Sequence, residues 1–446
     1  MSKHPLISCI ILLFSLCHSL IADPNKDALD PMKQWAQFRG PLFNGVAPHG
    51  NPPVNWSEDK NIRWKTAIPG KGLSTPVVWG NQVFITTALA FGKTFTNEQH
   101  QAHGAHNNVP AQRQIKFMLL CIDSQKGTIL WKKTLLEKRP HDSSHETGSW
   151  ASNTVVTDGK KIYAFFGSNG LYCLDMKGKL IWKKQLGLKS VKHSHGEGSS
   201  PALSGKFLII NWDHDGDSFI SAFEKTSGNE IWKMKRDEGT SWSTPLVIAH
   251  KGKHQIIIAA SKRIRSYDRD SGKLIWECAG LSGNVVATPV YSKGVVYVMS
   301  SYEFQAALAI NIDGASGDIS KSKSIIWKLD RFTPYVPSPL LYDGRLYFNH
   351  HLSGTFSSLD AKTGRILWGP TRIQSIPRVF ASPIAAADRV YLTGKSGNVI
   401  VIRHGDKPVL LARNQLNDSF SASPSIVGDS LYLRGEKFLY CIAEKK

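Results

Sequence analysis

The sequence predicts an all-β fold, an eight-bladed β-propeller of four-stranded antiparallel blades. Three observations predict it. A small residue followed by Ser/Thr-Pro recurs along the chain, and a Trp recurs on the same beat. A lone strand carrying that Trp precedes the repeats, and the last unit ends one strand short.

The Pro anchors are Pro76, Pro201, Pro245, Pro289, Pro339, Pro383 and Pro424. Asn153, in Ala151-Ser152-Asn153, fills the second slot, and from it the steps are 48, 44, 44, 50, 44 and 41 residues. The step from Pro76 to Asn153 is 77 residues because of an insertion at about Ala88 to Lys116. Each unit continues as an apolar strand, a Val-Tyr strand, a Leu-x-x-Leu-Asp strand, a Gly turn and a short strand ending in Trp. Four short strands per unit of this length is the propeller pattern. Pro at the first strand residue loses no ladder donor.

The Trp markers are Trp64, Trp131, Trp182, Trp232, Trp276, Trp327 and Trp368. In Asp175-Met-Lys-Gly178-Lys-Leu-Ile-Trp182 the Gly supplies a turn that other residues resist. The Trp is a broad plate for packing between neighbouring sheets. Leu410-Leu411 replaces it in the last full unit. The strand of Trp64 is expected to complete the eighth blade and leave no open sheet edge at the chain ends. The alternative is a seven-blade ring with one degenerate unit.

The N-terminus resembles a secretory leader over residues 1–22. Lys3 and His4 form a positive start, Leu6 to Leu16 is apolar, and Ala22 offers a cleavage site. The alternatives are an uncleaved anchor, or a lipoprotein at Cys17, although Leu16 stands where a small residue is expected. An extension over 23–60 and the propeller over 61–446 would follow. No later segment approaches the roughly 18 apolar residues of a membrane span. The expected location is periplasmic or secreted.

The formal charge is +20, spread along the chain. It fits either a solvated basic surface or contact with a polyanion such as a wall polymer or anionic headgroups, and export makes nucleic acid the least expected partner. No Cys-x-x-Cys pair exists. Cys121, Cys173 and Cys441 fill one repeat position that elsewhere holds apolar residues, so they read as core, and no disulfide is expected.

Strand direction alternates within a blade. Loops between blades and second-to-third turns therefore share one rim. Three groups of His fall there: His100, His103 and His106 in the insertion, His141, His145 and Glu146 ahead of blade two, and His193, His195 and Glu197 ahead of blade three. The turn Asp213-His214-Asp215-Gly-Asp217, the aromatics Trp150 and Trp242, and Asn349-His350-His351 join them. His with carboxylates serves metal ligation or proton transfer. These residues are the candidate funnel-mouth site, against the plainer alternative of solvated loop histidines. A metal needs three or four convergent ligands, which spacing does not establish, so no metal set is assigned. Asp213 to Asp217 also resembles a Ca²⁺ loop, without the later Glu. Phosphate loops, Gly-x-Ser-x-Gly elbows and His-Glu-x-x-His helices are missing. The opposite-rim turns Glu224 to Gly228 and Asp268 to Gly272 read as solvated.

The repeated Leu-Asp-x-x-x-Gly-x-x-x-Trp resembles the tryptophan-docking motif of the pyrroloquinoline-quinone (PQQ) propellers, which include quinoprotein alcohol dehydrogenases and the BamB lipoproteins. The opening Trp35-Ala-Gln-Phe-Arg-Gly-Pro41, with Trp56 and Trp64, is similar to PQQ-like propellers of bacteria, and the likeness spans 35–443. For the dehydrogenase branch the resemblance implies PQQ, Ca²⁺ held by Glu, Asn and Asp, a catalytic Asp, and commonly adjacent cysteines; no Cys-Cys pair is present. The reading adopted is a non-catalytic binding or scaffold module at the cell envelope, its partner an envelope protein or a small or polyanionic ligand, with no cofactor assigned. The alternatives are a PQQ- and Ca²⁺-dependent dehydrogenase, and a metal-dependent enzyme or sensor using the histidine rim.

Overall fold

The computed structural model describes Met1 and residues 29–99 and 101–444; the leader expected over 1–22 lies outside the described residues. Eight separate sheets each carry four antiparallel blade strands, in chain order in all but the last. Blade one is Val77–Trp79, Gln82–Phe91, Gln114–Asp123 and Ile129–Lys138. Blade eight takes Ser425–Val427, Ser430–Arg434 and Phe438–Ile442 from the end of the chain and Ile62–Ala67 from its start. Trp64 pairs with Cys441 there, so the N-terminal strand closes the ring.

Each blade is built around one cross-strand triplet. In blade two Tyr163 pairs with Cys173, which pairs with Trp182. Blade eight repeats this as Tyr432, Cys441 and Trp64, and blade one as Phe84, Cys121 and Trp131. The small middle residue lets the two aromatic rings meet above it. Tyr163–Trp182 and Tyr432–Trp64 ring centroids lie 6.1 and 6.0 Å apart. The thiols are buried and free, and burial pushes Cys121 and Cys173 up to about 12.

Each Trp then docks on the third-to-fourth turn of the next blade. Trp64 donates its indole N–H to Ser124 O (2.9 Å), Trp182 to Lys225 O (3.2 Å), Trp232 to Arg269 O (2.9 Å) and Trp327 to Ala361 O (2.9 Å). The turn glycine lies flat against the ring. A Cβ at Gly228 would meet Trp182 Cδ2 at 2.9 Å, and one at Gly272 would meet Trp232 Cε3 at 2.6 Å. The Asp of the motif caps the same turn, as where Asp268 Oδ1 accepts from Ser271 N at 2.8 Å. The opposite-rim turns expected to be merely solvated are therefore the sockets that join blade to blade. Trp276 and Trp368 have no acceptor for their indole N–H among the described residues. The turn facing Trp368, in blade seven, lacks the Asp-x-x-x-Gly spacing, and the turn facing Trp276, in blade five, begins at Asn311 where blades one, two, four and six have Asp.

Two positions differ from the sequence reading. The structure puts Thr154 at the hydroxyl position of blade two, so Val155, rather than Asn153, holds the Pro slot. In blade seven Ala412, rather than Leu410 or Leu411, pairs with Val401 at the Trp position.

Exposed lysines follow the docking tryptophans at Lys65, Lys132, Lys183, Lys233 and Lys328. They lie on outer edge strands, where charge blocks pairing with another chain. Trp276 is followed by Glu277 instead, and in that blade Gly317–Asp318 pairs onto the edge in parallel. Part of the basic charge is thus explained by edge protection.

Candidate functional site

The innermost strands begin at the Ser/Thr positions, which form a hydrogen-bonded ring. Each backbone N–H donates to the hydroxyl of the next blade: Thr75 to Thr154, Thr154 to Ser200, Ser200 to Thr244, Thr244 to Thr288, Thr288 to Ser338, Ser338 to Ser382 and Ser382 to Ser423, at 2.9–3.1 Å. The eighth step crosses the joint between the chain ends, where Arg434 donates to Ser74 Oγ at 2.6 Å.

The N-terminal extension closes the channel at the far end. Gln34 and Asn51 meet the first-to-second turns of blades one and eight, at Gly80 N (2.8 Å) and Gly428 O (2.9 Å). Between them Trp35 pairs with Val78 of blade one and Val46 bridges Ala385 of blade seven. Arg39 is fully buried and donates to Pro383 O (2.8 Å), Pro339 O (2.9 Å) and Asn44 O (3.0 Å). Burial without a carboxylate pushes its guanidinium down to about 9. Its neighbour Phe38 reaches into the channel. The result is a blind funnel of about 400 Å³, open on the histidine rim.

Of the predicted residues, His106, His145, Glu146, His195, Glu197 and Trp242 line this funnel. Trp242 is fixed by donating to Gly196 O at 2.7 Å. His145 Nδ1 accepts from Thr147 N at 3.1 Å. Burial, then the neighbouring His145, pushes His195 down to about 4. His193 sits behind the wall, with its ring 5.4 Å from that of His195. The insertion reaches them by pairing Asn108 with His145 and Val109 with Ser144.

The other predicted residues do structural work. His141 bonds Lys189 O at 2.9 Å, and Trp150 donates to Asp142 O at 3.1 Å. Asp213 is buried in a bidentate pair with Arg236 (2.6 and 3.0 Å) and accepts from Ser241 Oγ at 2.7 Å. His214 Nδ1 accepts from Ser190 N at 3.0 Å, and Asp215 accepts from Thr240 N at 2.8 Å. The Asp213–Asp217 turn therefore pins two loops, and its first carboxylate is buried and already accepts three hydrogen bonds. His351 stacks on Tyr335 at 5.2 Å.

Sequence reasoning missed the floor and the far wall: Phe38, Tyr302, Tyr335, Arg378 and Phe380. The Ser/Thr-Pro repeat did mark the hydroxyl ring, but as strand starts.

A cofactor test follows from this geometry. Ca²⁺ beside PQQ needs free carboxylate oxygens. Glu197 is held by Ser168 N at 2.9 and 3.1 Å and lies 3.8 Å from Lys189 Nζ, and Asp213 is held by Arg236. All four described cysteines are buried, and none lines the funnel. Among the described residues Glu146 is the one funnel-lining carboxylate without a side-chain partner, a single group where Ca²⁺ takes several oxygens.

Blade-to-blade tryptophan docking, a closed ring of eight and a funnel blind at one end define a tryptophan-docked propeller of the PQQ-like class. Residues 116–303 and 216–442 match the family described as outer membrane protein assembly factor BamB. The chain belongs to that family. BamB of Yersinia pestis is 21% identical over 334 residues, covering 72% of this chain and 78% of that one. Tetrathionate hydrolase of Acidithiobacillus ferrooxidans is 25% identical over 302 residues, 60% of this chain, and the match spans only 56% of that protein. Among solved structures, quinohemoprotein alcohol dehydrogenase from Comamonas testosteroni superposes with a TM-score of 0.63 at 11% identity, covering 94% of this chain and 82% of that one. BamB from Moraxella catarrhalis gives 0.52 at 15%, covering 81% and 98%. These superpositions speak to fold alone. No helix among the described residues is long and apolar enough to cross a membrane.

Proposed function

We propose that this protein is an exported, non-catalytic recognition propeller of the cell envelope, using the funnel mouth and its aromatic rim to bind an envelope protein. The observation that carries this reading is an aromatic funnel mouth with a single uncommitted carboxylate, Glu146, on its wall. Glu197 and Asp213 are committed to neighbouring donors inside the fold. The mouth instead offers Trp242, Tyr302 and Tyr335, with Tyr302 39% exposed and adjacent Phe304 52% exposed. Aromatic side chains with a polar tip suit protein recognition. Membership in the BamB family supports a protein partner at the envelope.

The test is photo-crosslinking in intact cells from a probe at Tyr302, with a second probe at Gly344 on the opposite rim. A discrete envelope-protein adduct from Tyr302 alone supports the reading. Equal labelling from both sites, or adducts with cytosolic proteins, contradicts it.

A second reading, a PQQ-dependent dehydrogenase, draws on the superposition with quinohemoprotein alcohol dehydrogenase and on a funnel of cofactor size beside Trp242. The committed carboxylates weigh against it.

A further inference from the structure

The outer strands form the side wall of the propeller, away from both rims. In blades one, two and three they are Ile129–Lys138, Leu180–Lys184 and Glu230–Lys235. These three strands carry seven lysines: Lys132, Lys133 and Lys138, then Lys183 and Lys184, then Lys233 and Lys235. The other five outer strands together carry two lysines and three arginines. Guarding a sheet edge takes one charge, as Lys328 does alone in blade five. The surplus on three consecutive blades needs another cause.

The surplus is also uncompensated. Six of the seven lysines are exposed and Lys184 is half-buried. None of them takes part in an ion pair among the described residues. The two acids on these strands are engaged elsewhere. Glu137 pairs with Lys116 at 3.2 Å, and Glu230 accepts from Ser221 Oγ at 3.0 Å. Lys184 and Lys233 lie over the rings of Phe223 and Phe219. The other five reach into solvent with no partner of their own.

Aliphatic side chains stand among these charges. Leu130, Ile181 and Ile231 each precede a docking tryptophan and are 49, 44 and 37% exposed. Leu188, on the loop after the blade-two strand, is 57% exposed. Blades four, five and seven repeat the aliphatic residue at Leu274, Ile326 and Leu410 without the lysine surplus. Only the wall of blades one to three combines the two. Ammonium groups meet lipid phosphates, and aliphatic side chains enter the boundary between headgroups and acyl chains. A soluble polyanion would engage the charges alone.

We infer that the outer wall of blades one to three docks on an anionic lipid surface. Docking by the side wall lays the funnel axis along the membrane plane and leaves the histidine rim open to a partner. The inference does not depend on which partner occupies the funnel.

The experiment is cosedimentation of the full chain with phosphatidylcholine vesicles, with and without phosphatidylglycerol, at low and high salt. Binding should require phosphatidylglycerol and weaken as salt rises. The triple variant Lys132→Gln, Lys183→Gln, Lys235→Gln should bind these vesicles about tenfold or more weakly. A control triple variant, Lys321→Gln, Lys362→Gln, Lys407→Gln, removes the same charge at exposed sites off this wall and should bind as the parent does. Leu130→Ser with Leu188→Ser should weaken vesicle binding and leave binding to soluble polyphosphate unchanged. Residues 1–22 are common to all variants, so differences between variants report the wall. Circular dichroism confirms that each variant folds. Equal binding with and without phosphatidylglycerol, or equal losses in the two triple variants, overturns the inference. Vesicle binding that ignores the leucine changes and is matched by polyphosphate would assign the wall to a soluble polyanion and overturn lipid docking.

Discussion

Trp56 lies against Tyr391 with ring centroids 6.4 Å apart and planes 19° from parallel. It comes from the N-terminal extension, yet it takes the place filled elsewhere by the tryptophan of the blade itself. Tyr391 occupies in blade seven the position of Tyr163 in blade two, and Ala412 stands where Trp182 would be. The reason lies in the joint. A docking Trp needs the third-to-fourth turn of the next blade, and in blade eight the chain ends replace that turn. Trp56 is held by its backbone N–H on Asn414 Oδ1 at 2.8 Å.

Trp56→Ala should therefore act like a core truncation in blade seven. A loss of about 3–5 kcal/mol is expected from urea unfolding. Hydrogen exchange should rise first over Ile384–Gln415. A loss under about 1 kcal/mol would mean that the ring is only surface cover.

The turn glycines allow a controlled comparison. Gly228 (φ 74°) and Gly344 (φ 72°) share a left-handed conformation, but only Gly228 faces a Trp, and Gly344 has no atom within 4 Å of a built Cβ. Alanine at either site carries the same backbone strain. Gly228→Ala adds the clash with Trp182 and should be the more destabilising by about 1–3 kcal/mol. Equal losses in thermal or urea unfolding would show that docking tolerates a methyl group.

Repeat periodicity made the blades, the docking plates and the ring closure legible, because each is a local pattern copied along the chain. Trp131, Trp182 and Cys173 are placed by the repeat alone. The funnel was half legible. His145, His195 and Trp242 follow from strand direction, which assigns loops to rims. Asp213 and His214 sit on the same rim but turn inward to Arg236 and Ser190, and spacing does not give side-chain direction. Phe38 and Arg39 were hidden because the extension repeats nothing, and its path across the channel rests on pairings with blades at both ends of the chain.

Arg39→Ala tests the plug. It removes the donors for Pro383 O, Pro339 O and Asn44 O and leaves a void beneath Phe38. A loss of about 3 kcal/mol is expected. Faster proteolysis or exchange over residues 35–47, with the blades intact, should accompany it. Unchanged exchange there would argue that strand pairing alone holds the extension.

Acid should loosen the histidine rim. Burial and neighbouring imidazoles hold His195 down to about 4, and burial lowers His145 and His214 in the same direction. An unfolded His titrates near 6.5. Between about 6.5 and 4 the unfolded chain binds protons that the folded rim refuses, so stability is full above that window and falls as pH drops through it. The urea midpoint should be lower at pH 5 than at pH 7.5, and His195→Gln should narrow the difference. An unchanged difference in the variant would remove His195 from the account.

The central claim is that this PQQ-like propeller recognises a partner and does not oxidise a substrate. Its most direct measurement is titration of the folded protein with PQQ and Ca²⁺, followed by calorimetry and quinone absorbance. The account predicts no saturable binding at micromolar concentrations and no dye reduction on adding alcohols or sugars. Saturable binding with substrate-dependent dye reduction would contradict it and make the protein an oxidoreductase.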